Sequence, residues 1–169
     1  MRRRRLAGFP PIAARSACLL VLGSMPSVAS LAKGQYYAHA RNQFWPIVGE
    51  ICGFDAAAPY PRRLAALVAR RIAVWDIVAS CVRAGSLDSD IEERSIVVNP
   101  FAQFLARHPG IRRICFNGRK AETSWRRHVL EKLPAGRKFD YRLLPSTSPA
   151  HAGMSYLRKL RIWRSAIEC

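Results

Sequence analysis

Ala17-Cys18-Leu19-Leu20-Val21-Leu22 is a continuous apolar run that stops at Gly23 and Pro26. A strand covered on both faces has no reason to alternate apolar with polar residues, so the run reads as a central strand of a parallel sheet. Three further segments have the same form: Ile72 to Trp75, ended by Asp76; Arg113 to Phe116, closed by Asn117-Gly118; and Tyr141 to Leu144. Between the strands lie stretches with helical spacing. Asn42 to Cys52 places Phe44, Ile47, Val48 and Ile51 on one face and has Gly53 to end it, and Pro61 to Arg71 turns Leu64, Leu67 and Val68 inward. Asn99 to Arg107 is a helix with Asn99 as its cap and Pro100 at its first position. Lys120 to Leu133 and Ser155 to Ile167 supply two more. Short strands alternating with helices imply an α/β fold, a parallel sheet with helices on both faces. Ligands in such sheets sit beyond the carboxyl ends of the strands. That rule selects Gly23 to Ser30, Asp76, Asn117 and Pro145 to His151 as rims of one crevice.

The composition narrows the partners. With 169 residues, half of them apolar, the chain is sized for one domain with a real core, and disorder throughout is excluded. Residues 1–15 read as a basic, proline-bearing arm and residues 16–169 as a single domain. Lys plus Arg number 28 against 11 for Asp plus Glu, a net charge of +17, which suits a polyanion: nucleic acid before an anionic membrane surface. Five scattered cysteines with no C-x-x-C pair argue against a disulfide framework or a zinc site and fit reduced thiols in the cytoplasm. Met1 to Arg5, the apolar run and Ser27 to Ser30 share features with a secretory signal, but Pro10 and Pro11 interrupt it. No stretch reaches the roughly 18 to 20 apolar residues that a membrane span needs.

Two segments place conformationally special residues after strand ends: GSMPSVASLAKGQYYAHARNQFW from Gly23 to Trp45, and LPSTSPAHAG from Leu144 to Gly153. Glycine and small hydroxyl residues at such turns let backbone N–H groups approach a phosphate. Either segment alone could be an ordinary turn. Together they resemble the hypoxanthine-DNA glycosylase branch of the uracil-DNA glycosylase superfamily. The resemblance implies a three-layer α/β/α sandwich around a four-stranded parallel sheet. It implies a monomer with no metal or organic cofactor that acts on DNA containing deaminated bases and hydrolyses the N-glycosidic bond, chiefly of hypoxanthine, to leave an abasic site.

Carried over by position, the resemblance makes Asn42, from the Asn-x-Phe-Trp element, the catalytic residue and Tyr37 the aromatic that stacks on the extruded base. It puts Ser24, Met25 and His39 beside that base, and Gly23, Ser27, Ser146, Thr147, Ser148 and His151 on the DNA. Met25 stands where many relatives carry a side chain that orients water, which points away from uracil chemistry. Ser27 and Ala40 stand where the family usually has glycine and proline. No lysine occupies a nucleophile position in these motifs, so no lyase step is expected.

The chemistry is compatible with these residues. Glycosidic cleavage generates a cationic sugar and an anionic base, charges that an oriented amide can stabilise without a strong base. Asn42 at a helix start could equally be an N-cap, and Asp76 a turn residue or a contact to water or base. The rivals are a glycosylase of the same fold acting on uracil or a broader set of deaminated bases, and a non-catalytic basic nucleic-acid-binding module.

Overall fold

A computed structural model describes residues 5–168 of the chain. The apolar run supplies β2 (Leu19–Gly23), every residue of which is buried. It pairs in parallel with β3 (Ile72–Asp76) on one side and β6 (Arg113–Asn117) on the other, and β7 (Asp140–Leu144) joins β6, giving the order β3-β2-β6-β7. Leu19, Leu20, Val21 and Leu22 are wholly inaccessible. Burial of each side chain of this size stabilises the fold by about 1.5–3 kcal/mol.

Helices cover the sheet. α2 (Phe44–Cys52) packs on α6 (Tyr156–Ile167), with the rings of Phe44 and Trp163 edge to face at 6.0 Å. α4 (Phe101–Arg107) and α5 (Arg119–His128) meet the sheet through an aromatic cluster: Phe101 lies 5.0 Å from both Trp75 and Trp125, and Trp125 reaches Phe116 on β6. Leu22 is paired with both Trp75 and Phe116, so these side chains share one face of the sheet. α1 (Val28–Lys33) and α3 (Tyr60–Ala69) complete the described helices. The α/β/α sandwich expected from the alternating pattern is the observed fold. No helix among the described residues is long and apolar enough to cross a membrane.

Four features depart from the sequence reading. A second, antiparallel sheet of order β1-β4-β5 is formed by β1 (Arg5–Ala7), β4 (Val78–Val82) and β5 (Val97–Val98). Only Ile77 separates β3 from β4, so no turn signal marks where the chain passes from one sheet to the other.

The expected basic arm is corrected over residues 5–15: β1 pairs with β4, Ile12 bridges Val74, and Trp75 Nε1 donates to the Phe9 carbonyl at 3.0 Å. Leu6, Phe9 and Ile12 pack against the core, and their burial outweighs the basic character of the stretch. Residues 1–4 lie outside the described residues.

Asn99 does not cap its helix. Pro100 holds the cap position while Asn99 Nδ2 donates to the Asp76 carbonyl at 2.7 Å. The helix expected from Lys120 to Leu133 ends at His128 and continues only as a 3₁₀ turn over Leu130–Lys132.

Candidate active site

The carboxyl ends of β2, β3 and β6 open onto a cavity of about 320 Å³ bordered by both sequence motifs. Its first wall is the turn after β2. A side chain at Gly23 would run into Asp76 Oδ1 and Tyr37 Oη, so close packing of these two groups demands glycine there. Ser24 Oγ donates to Asp88 Oδ1 at 2.5 Å. Ser27 caps α1, its Oγ accepting from Ser30 N at 3.2 Å. Met25, expected beside the base, borders the cavity but is only 7 % exposed and packs with Val78, Cys81 and Ile91, anchoring the turn to the second sheet. Its thioether cannot position water.

The second wall carries Tyr37 and Asn42. Tyr37 has φ 54°, a left-handed conformation rare for a bulky residue and worth roughly 1–3 kcal/mol of strain. Its surroundings hold it there. The ring stacks on Phe44 at 3.9 Å and 20°, Ser30 Oγ accepts from the N–H of Ala38, and Tyr60 Oη accepts from the N–H of Tyr36. The Tyr37 hydroxyl is buried without a hydrogen-bond partner. Burial, with the Asp76 carboxyl second, pushes its pKa far above the phenol range. Tyr36 is a structural neighbour instead: its hydroxyl donates to the Pro10 carbonyl at 3.0 Å and its own carbonyl accepts from Trp45 Nε1.

Asn42 lines the cavity, and its Oδ1 accepts from Phe44 N at 2.9 Å. The cap role open to it from sequence is not the one observed: Gln43 holds the N-cap position of α2 without a side-chain bond, and the Asn42 carbonyl makes a local turn contact just before the helix. The amide NH₂ remains available at the cavity wall as a donor. His39 is not among the lining residues; its Nδ1 accepts from Arg41 N at 3.1 Å, a local turn contact rather than the base contact expected of it.

The third wall is the second motif, shaped by Asn117 at the end of β6. Asn117 Nδ2 donates to Thr147 Oγ1 and Asn117 Oδ1 accepts from Thr147 N, both at 2.9 Å, while the Thr147 carbonyl accepts from Gln43 N at 3.0 Å. Thr147, expected on the DNA backbone, is instead fully buried and ties α2 and β6 to the loop. Ser146 and Ser148 line the cavity, and each Oγ accepts from a backbone N–H two residues on. His151 stands exposed at the mouth, its carbonyl held by the buried Lys159 ammonium at 2.7 Å.

Asp76 forms part of the floor. It is 3 % exposed, and its Oδ2 is shut from water with no hydrogen-bond partner. Burial first, then the Asp88 carboxylate, pushes its pKa up to about 7, and Arg83 opposes the shift. Sequence reasoning set Asp76 and Asn117 on the rim, offering Asp76 a turn role or a contact to water or base and assigning Asn117 no part. Their signal was position alone, one polar residue at the end of each apolar strand.

A sheet of this order, with an aromatic ring, an amide and a buried carboxyl converging at its strand ends, has clear relatives. The Uracil DNA glycosylase superfamily matches residues 10–166, and the chain belongs to that superfamily. It is 37 % identical over 153 residues to a protein of Methanosarcina acetivorans named Hypoxanthine DNA glycosylase, covering 90 % of this chain and 92 % of that protein. A protein of the same name from Methanosarcina barkeri is 36 % identical over 115 residues, 68 % of this chain and 72 % of that one. A solution NMR structure from Methanosarcina acetivorans, provisionally assigned to the uracil DNA glycosylases, superposes with a TM-score of 0.78 at 33 % identity, covering 97 % of both chains.

Proposed function

We propose that this protein is a monofunctional DNA glycosylase that removes hypoxanthine from DNA by hydrolysing its N-glycosidic bond. The observation that carries the reading is the convergence of the fixed Tyr37 ring and the Asn42 amide in one cavity, with an apolar, anchored Met25 in the turn beside them. Relatives that carry the hypoxanthine name over most of their length support the same substrate.

The nucleotide is extruded at a cost of a few kcal/mol, offset in part by stacking of the base in the pocket. Tyr37, already immobilised against Phe44, offers its ring without further ordering. As the bond breaks, negative charge grows on the base. The Asn42 NH₂, held by the hydrogen bond that its own carbonyl accepts from Phe44 N, is a preorganised donor to that charge. Met25 supplies no polar group at the place where many relatives orient water, so uracil is the poorer substrate in this reading. The surplus of +17 draws the duplex to the protein through its phosphates. In this reading the chain acts as a monomer in the cytoplasm.

Excision from duplexes carrying deoxyinosine, deoxyuridine or deoxyxanthosine, run in parallel under single-turnover conditions, tests the proposal. Release of hypoxanthine well ahead of uracil is expected. Equal or faster uracil release overturns the substrate, and binding without release of any base returns the protein to a non-catalytic module.

A further inference from the structure

Two carboxyls line the cavity without a part in base recognition, Asp76 and Asp88, and Asp76 is the buried one. A carboxylate shut from water normally has partners, because stripping its hydration without replacing it is expensive. Asp76 has an oxygen with none, although Asn99 is close enough to bind its backbone carbonyl. The groups around it come from four directions, and none is an ion pair to its carboxyl. Gly23 on β2 leaves the space its Oδ1 fills, and the phenols of Tyr37 and Tyr36 approach from the loop before α2. Asp88 faces it from the loop after β4. Arg83, also after β4, is the cation that acts on it among the described residues; its Nη2 donates to the Pro26 carbonyl at 2.6 Å, and its Nε and Nη1 make no hydrogen bond. Two carboxylates bordering one cavity beside two buried phenols do not both ionise readily. Of the two, Asp88 is bonded to Ser24 Oγ and sits nearer solvent, which favours the proton on the deeper Asp76.

We infer that Asp76 is the general acid of the reaction, delivering its proton to a ring nitrogen of the departing purine. The inference rests on the hypoxanthine reading of the cavity. A purine carries unprotonated ring nitrogens, N3 and N7, on its edge, and protonation there turns an anionic leaving group into a neutral one. In the step, the Asp76 O–H bond breaks and an N–H bond forms on the base. The glycosidic electron pair leaves with the base as neutral hypoxanthine. A water oxygen bonds to the sugar carbon, and the proton it sheds returns the carboxylate to its acid form, directly or through solvent. Asp76 holding a proton near neutral pH is the state this step requires. Asn42 and Asp76 then divide the task, one stabilising charge on the base and the other removing it.

The sign of the pH dependence separates this role from its opposites. Single-turnover excision of hypoxanthine from a deoxyinosine duplex is measured from pH 5.5 to 9 for the wild type and Asp76→Asn. The wild-type rate is expected to be level below about pH 7 and to fall about tenfold per pH unit above it. Asp76→Asn is expected to be roughly 100- to 10,000-fold slower at pH 6 and insensitive to pH over this range. Binding of the variant to an abasic duplex should match the wild type. A wild-type rate that rises through pH 7 would mean that the carboxylate acts as a base on water, and it overturns the inference. So does a uniform slowing of Asp76→Asn that keeps the wild-type fall, which is the mark of a merely structural residue. Should the variant not fold, the wild-type profile alone decides: no decline above about pH 7 sinks the acid role. Failure of the wild type to release hypoxanthine at any pH instead defeats the functional reading beneath it.

Discussion

At the scale of single residues, Tyr37 combines a strained backbone, a stacked ring and a hydroxyl with no partner, and these separate by substitution. Tyr37→Phe keeps the ring against Phe44 and deletes a buried, unpaired hydroxyl. We expect excision within a few-fold of wild type and no loss of melting temperature. Tyr37→Ala removes the stacking platform and should weaken recognition of the extruded base by about 1–3 kcal/mol. Binding of both variants to a deoxyinosine duplex checks this; if Phe is as harmful as Ala, the hydroxyl touches the base. Asn42→Ala should slow excision about 100- to 1,000-fold through loss of the oriented donor. It should also cost about 1 kcal/mol of stability, because the same side chain accepts a hydrogen bond from Phe44 N at the start of α2. Thermal melting and single-turnover rates on one preparation distinguish the two losses. Near-wild-type rates with a lowered melting temperature would leave Asn42 a structural turn residue and nothing more.

At the scale of elements, the clasp between Asn117 and Thr147 sets the second motif. Asn117→Ala breaks both bonds and leaves the buried Thr147 N–H and hydroxyl unpartnered. A stability loss of about 1–3 kcal/mol is expected for each group left bare. If the loop's part is to hold DNA, as proposed, affinity for duplex should fall more than the saturating rate. The concentration dependence of single-turnover excision reads the two apart.

The elements visible in the sequence were those whose information is local. Four apolar runs gave the parallel sheet, and periodic stripes gave the helices from Phe44 to Cys52 and from Tyr156 to Ile167 nearly to the residue. The second sheet stayed hidden because β1 and β5 are only three and two residues long, β4 follows β3 with no turn signal between them, and β1 finds its partner only far along the chain. The same reason explains the site. Tyr37 and Asn42 stand out in one motif, but Met25 shows its packing role only once β4 is beneath it, and Thr147 its burial only once Asn117 is beside it.

At the scale of the molecule, charge and protonation govern behaviour. Affinity for undamaged duplex should drop steeply with salt, because a +17 protein binds through phosphates and releases counterions. Removing residues 1–4 should flatten that dependence without altering base preference. The deletion must stop before Arg5, whose guanidinium donates to Ser80 Oγ and the Ser95 carbonyl. Titrations against duplex at several salt concentrations test it, and a changed base preference would show that these arginines read more than charge.

The folded protein holds the Asp76 proton up to about pH 7, whereas an unfolded aspartate loses it near 4. Across that window the native state binds more protons, so this group's contribution makes stability decline as pH rises, then level off above pH 7. Asp76→Asn removes the decline. The variant's melting temperature should exceed that of the wild type at pH 8 and approach it at pH 4.5, as calorimetry at the two pH values would show.

The pairing of Arg5–Ala7 with Ser80–Val82 also has a consequence in time. On the ribosome the segment from Arg5 to Ile12 emerges well before Val74 to Val82, which hold it in place. At about 5–20 residues per second the delay is several seconds, far longer than helices and hairpins need to form. Leu6, Phe9 and Ile12 therefore wait in water for their partners. In that interval their basic neighbours, rather than any packing, are what keep three exposed apolar side chains from finding another chain first.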